Sequence, residues 1–140
     1  MALVRPSAVA AALAVLLLAS CIPLPQVADE LPRATELVDA AWEPTATCLR
    51  RRLKEGYGDA YEIDWVLTRP ERNVTITARN KTLAGGPAAG TSWLVTVIGR
   101  DDGRTLVEAR TRWMPLVDTL PSDFMTILAD CTKVSLPSRV

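Results

Sequence analysis

A period-two alternation of apolar and polar residues runs through the middle of the chain, and it is the feature that most restricts the fold. Tyr61, Ile63, Trp65 and Leu67 alternate with Glu62, Asp64 and Val66. Val74, Ile76 and Ala78 alternate with Thr75, Thr77 and Arg79. Successive strand side chains point to opposite faces, so each pattern predicts a strand with one buried face. Trp93 to Ile98 is apolar on both sides except at Thr96, as a central strand is. From Leu106 to Trp113 the alternation returns, with Val107, Ala109, Thr111 and Trp113 expected inward and Glu108, Arg110 and Arg112 toward water. The connections read as turns: Arg69-Pro70-Glu71-Arg72-Asn73, a Gly85-Gly86-Pro87 loop, and Arg100-Asp101-Asp102-Gly103, where Asp102-Gly103 suits positive φ.

On either side the period changes to that of a helix. Ala34 to about Glu43 places Leu37, Val38, Ala41 and Trp42 on one side. Pro44 then either kinks one helix or opens a second at its first turn. Thr45, Cys48, Leu49 and Leu53 continue at helical spacing until Gly56 and Gly58. Beyond Pro115 and Pro121, Phe124, Ile127, Leu128 and Cys131 form one apolar stripe. The expectation is an α+β domain of order α-β-β-β-β-α: a four-stranded antiparallel meander with an N-terminal and a C-terminal helix on one face. At 140 residues the chain has room for one such domain.

The first residues follow a different logic. Arg5 is the sole charge in Met1–Pro6, and Ala8 to Ala19 reads AVAAALAVLLLA without a charge. That is the hydrophobic region of a secretory signal, shorter than the roughly 20 residues of a membrane-spanning helix. It ends in Leu18-Ala19-Ser20-Cys21, a tetrapeptide that resembles the lipobox of bacterial lipoproteins. The resemblance covers the first 21 residues and carries nothing about the domain after them. It implies a signal peptide over 1–20, cleavage before Cys21, a diacylglycerol on the Cys21 thiol, and anchoring outside the cytoplasm. A second acyl chain would make that anchoring stable, where one chain is marginal. Ile22 follows where Asp would favour retention in the inner membrane. The sorting rule of many Gram-negative lipoproteins then implies the periplasmic face of the outer membrane. Residues 21–33, with Pro23, Pro25 and Pro32, read as a lipidated cysteine and an extended Pro-rich tether, and 34–140 as the single domain.

Export places the two remaining cysteines in an oxidising compartment. Cys48 and Cys131 each sit on an apolar helical stripe, so both are expected to face the sheet and pair. The disulfide would enclose a segment worth roughly 4 kcal/mol by loop entropy. The alternative is two buried thiols packed as small hydrophobes.

The remaining chemistry is mostly exclusion. The chain has no histidine, so Ser-His-Asp and Cys-His sets are excluded and no metal site or cofactor is expected. No phosphate-binding glycine motif is present. Setting Arg5 aside leaves fifteen basic against sixteen acidic residues, which argues against a nucleic-acid partner. Carboxylate pairs, Glu62 with Asp64 and Asp101 with Asp102, are the one catalytic option, and they read as solvated charges. Arg50, Arg51 and Lys54 form a basic surface, with Arg50 and Lys54 four apart on one helix face. It either contacts lipid phosphates or an acidic partner, or is a solvated face whose arginine stems cover apolar surface. Trp42, Trp65, Trp93 and Trp113 are expected in the core rather than as a ligand platform. The functional expectation is a non-catalytic accessory module, anchored to the membrane at Cys21, that binds another envelope protein. The alternative is a module that holds a small apolar molecule, lipid or glycan between helices and sheet.

Overall fold

The computed structural model describes residues 26–83, 90–112 and 120–133. Cys21 with the expected signal peptide over 1–20, the expected Gly85-Gly86-Pro87 loop, Trp113, Pro115 and the tail from Val134 lie outside them. The fold is α+β, with five antiparallel strands and two α-helices among the described residues. A 3-10 turn, Val27–Asp29, is followed by β1 (Ala34–Val38) and α1 (Trp42–Tyr57). Then come β2 (Tyr61–Thr68), β3 (Asn73–Asn80), a 3-10 turn at Lys81–Leu83, β4 (Thr91–Gly99), β5 (Thr105–Thr111) and α2 (Phe124–Lys133).

The predicted meander β2-β3-β4-β5 is present, and β1 adds a fifth strand beside β5, giving the sheet order β1-β5-β4-β3-β2. This corrects both the strand number and the helix expected over residues 34–43. Leu37, Val38, Ala41 and Trp42 fit a helical period, but a five-residue piece fits a period of two as well. Ala34, Glu36 and Val38 pair with Ala109, Val107 and Thr105 on the inner face. Glu36 breaks the apolar alternation there, and it is tolerated because β1 is an edge strand where the carboxylate reaches water. The helix begins only at Trp42. Pro44 falls in its first turn, where no helical partner is needed for the missing N–H, so it opens the helix rather than kinking one.

Because β1 and β2 are opposite edges of the sheet, α1 crosses its width. Its buried residues, Thr45, Ala46, Leu49 and Leu53, follow the helical period. They enter one core with Val74, Ile76 and Ala78 of β3, Trp93, Val95 and Val97 of β4, and Val107 and Ala109 of β5. Phe124, Leu128 and Cys131 of α2 join the same core. Both helices therefore serve one face of the sheet. The Thr105 hydroxyl donates to the Ala40 carbonyl at 2.6 Å, fixing the corner between β1 and α1 to the start of β5. Gly99 ends β4 under the ring of Trp42, and a Cβ there would collide with that ring. Gly103 takes the hairpin turn at φ 82°, as expected, and the Gly103 amide donates to Arg100 O at 3.2 Å.

The turn before β3 differs in one residue. Arg72 (φ 50°), not an asparagine, takes the left-handed conformation, and Asn73 starts the strand. Asn80 is a turn residue: its side-chain oxygen accepts from the Thr82 amide at 2.9 Å and the Thr82 hydroxyl at 2.7 Å.

The other face of the sheet carries Thr75, Thr77, Thr96, Leu94, Ile98, Leu106, Glu108 and Arg110. No helix covers it. It is covered in part by the segment before β1, which had been expected to hang free as a tether. Val27 is only 4% exposed, and its 3-10 turn packs on β4 and β5. The Arg110 Nε donates to Glu30 O at 3.0 Å, and the Arg33 amide donates to Ala109 O at 2.8 Å. Residues 26–33 therefore belong to the folded body.

Candidate interaction surface

Cys48 of α1 and Cys131 of α2 are joined by a disulfide, with Cα atoms 5.5 Å apart. Each lies on the stripe its helix turns toward the sheet, as the sequence spacing requires. The two helices are also tied at one end: the Tyr57 hydroxyl donates to the Asp123 carboxylate. That hydrogen bond, with burial and the Asp123 charge adding to it, pushes the Tyr57 phenol up to about 12. Between these ties, Arg52 forms an ion pair with Asp130 at 3.2 Å. The two helices are thus joined at three points.

The predicted basic residues all lie on α1, but they do different things. Arg50 is half-buried, with its guanidinium 4.2 Å from the centroid of the Trp65 ring. It is a packing group for the β2 edge as much as a surface charge. Arg51 and Lys54 are exposed, three residues apart, and carry no ion pair among the described residues. Arg51 also borders an open groove of about 510 Å³ with Glu43, Pro44, Thr47 and Cys48. Glu43 and Arg51 thus bring opposite charges to that groove, while Lys54 lies about one turn further along α1, outside its lining.

The carboxylates go the other way. Glu62 and Asp64 share one cation, each 3.3 Å from the Arg79 guanidinium. Asp101 pairs with Arg72. Asp102 accepts from the Arg104 side chain at 2.9 and 2.7 Å and from its amide at 3.0 Å, which holds its carboxyl below the usual range. Each candidate acid is neutralised by an arginine: of its own turn for Asp102, of the turn between β2 and β3 for Asp101, and of the neighbouring strand for Glu62 and Asp64. Asp101 and Asp102 are turn chemistry. Among the described residues no group of three or more metal-ligating side chains comes together, and no helix is long and apolar enough to cross a membrane.

The described tryptophans are interior or half-buried. Trp93 is fully buried and packs obliquely against Tyr61, their ring centroids 5.7 Å apart. Its indole N–H finds no acceptor. Trp42 and Trp65 pack partly buried against the same core. On the opposite face Glu108 and Arg110, expected in water, are only 20% and 19% exposed and pair at 2.7 Å. The covering segment shields them. Sequence reading missed this because nothing in the alternation of β5 distinguishes a residue facing solvent from one facing its own N-terminal chain.

Compared with known proteins, the chain matches no family, no curated protein and no solved structure.

Proposed function

We propose that the chain is the precursor of a lipid-anchored envelope protein, and that its mature domain is a non-catalytic adaptor whose α1 face receives another envelope component. The anchor rests on the Leu18-Ala19-Ser20-Cys21 sequence. The adaptor reading rests above all on how charge is distributed. The carboxylate pairs are spent on Arg72, Arg79 and Arg104, whereas Arg51, at the rim of the open groove, and Lys54, about one turn further along α1, stand unpaired among the described residues. Such a face favours an acidic stretch of a partner, and charge at the rim of an interface acts mainly on encounter and specificity. The alternative, an apolar ligand held between helices and sheet, would need space where Leu49, Leu53, Trp93 and Phe124 already pack.

The test is crosslinking in living cells of the source bacterium, followed by purification through a C-terminal tag and mass spectrometry. One dominant envelope protein, recovered with the anchored chain and lost in Cys21→Ser and in Arg51→Glu with Lys54→Glu, is the expected result. Recovery of the same set of proteins from all three would sink the adaptor reading.

A further inference from the structure

We infer that the helix-free face of the sheet rests against the lipid surface, so that the disulfide-stapled helical layer points away from the membrane. The inference rests on the anchoring reading above and deepens it by fixing an orientation.

The argument starts from where the chain leaves the folded body. Val27 is buried against β4 and β5, and the Glu30 carbonyl accepts from Arg110, whose side chain lies on the helix-free face; the Arg33 amide then joins the edge of β5 at Ala109 O. The N-terminal direction of the chain therefore departs from the helix-free face. Cys21 precedes Gln26 by five residues. Five residues reach at most about 17 Å fully extended. An anchor on so short a lead, attached on one face, brings that face nearest to the bilayer. The helical layer, about 10 Å further on, is the far side.

The chemistry of the face agrees with this placement. Leu37, Leu106 and Ile98 lie in one row across β1, β5 and β4. Leu37 at its edge is 42% exposed, and Leu31, where the covering segment turns toward β1, is 85% exposed. Val66 on β2 is 64% exposed on the same face. The charges there are mostly spent on one another: Glu108 on Arg110, and Glu62 and Asp64 on Arg79. Threonines fill most of the rest, at Thr35, Thr75, Thr77 and Thr96. Arg33 is exposed and has no ion pair among the described residues, which suits an anionic headgroup. A face whose charges are largely paired with one another, and which exposes apolar side chains at its edges, costs less to bring to a lipid surface than one of unpaired charges. By contrast, Arg51 and Lys54 on α1 are placed to meet a protein partner and not lipid phosphates.

The experiment uses the full chain purified from bacterial membranes, with acylation at Cys21 checked by intact mass. It is placed in phosphatidylethanolamine–phosphatidylglycerol vesicles that contain a headgroup nitroxide lipid. Thr35→Cys and Lys54→Cys are each labelled with a fluorophore, the native disulfide remaining closed. In acylated protein that floats with the vesicles, the label at position 35 should be strongly quenched and that at position 54 should not. Leu31→Glu with Leu37→Glu, both at exposed positions, should relieve the quenching at position 35 while flotation persists. Equal quenching at both positions in acylated, floating protein would overturn the orientation and leave the anchor intact. An unacylated Cys21 with no flotation would remove the anchor reading, and the orientation with it.

Discussion

Cys48 and Cys131, separated by 83 residues in sequence, stand with their Cα atoms 5.5 Å apart and hold α1 against α2. Closing a loop of that length restricts the unfolded chain by about 4 kcal/mol in the entropic account. For a domain of this size that is a large share of total stability. A Cys48→Ala, Cys131→Ala pair, or reduction, should therefore lower the melting midpoint by more than about 10 °C. In the oxidised native protein neither thiol should react with maleimide until reductant is added. An unchanged midpoint after full reduction would mean that the core alone holds the helices in place.

Arg50, Arg51 and Lys54 are close in sequence but should separate in experiment. Arg50 lies over the Trp65 ring, so Arg50→Ala should cost about 0.5–1 kcal/mol in urea unfolding. Arg51→Ala and Lys54→Ala remove exposed, unpaired charges and should leave stability within about 0.5 kcal/mol of the parent. Their effect should appear in partner crosslinking. If Arg51→Ala destabilises as much as Arg50→Ala, the cluster is a packing feature throughout and its role as a contact surface is lost.

Much of this was legible in the sequence, and the misses share a cause. The alternating segments of β2, β3 and β5 and the stripe of α2 set one amphipathic face over seven or more residues, and their positions follow from periodicity alone. The disulfide was legible because both cysteines fall on such stripes. The strand β1 was not: five residues are too few to tell the two periods apart, and Glu36 on the inner side is allowed only because the edge is open. The packing of Val27 and the shielding of Glu108 and Arg110 depend on contacts across about 80 residues, for which local pattern carries no signal. The basic cluster was located by its sequence density, but which arginine packs and which stays free is decided by Trp65 and Asp130.

The Tyr57–Asp123 hydrogen bond gives a pH signature. The folded phenol is pushed up to about 12 from an ordinary value of 10.0, because its proton is held in a hydrogen bond donated to the Asp123 carboxylate. A raised folded value means that this stabilisation is complete below pH 10 and is lost as pH rises through 12. Phenolate absorbance should show a component near pH 12 that disappears in Tyr57→Phe. The same substitution should cost about 0.5–1.5 kcal/mol at neutral pH and remove the parent's extra loss of stability between pH 10 and 12. If the component titrates near 10 instead, the tie between the helix ends is not formed in solution.

Val27 decides whether the segment before β1 is part of the domain. Its side chain is buried by β4 and β5, and the same segment supplies Glu30 O to Arg110. Val27→Ala removes two buried methyl groups' worth of contact and should cost roughly 1–2 kcal/mol. Val27→Asp places a carboxylate in the buried position against β4 and β5, and it should detach the segment altogether. Detachment has a readout of its own: proteolysis within residues 26–33 should accelerate in Val27→Asp while the strands and helices stay resistant. A chain that begins at Arg33 should match Val27→Asp in stability, since both lack the same cover. If residues 26–33 of the parent are cut as fast as those of Val27→Asp, the segment is a free lead after all. The orientation drawn from its docking would then lose its foothold.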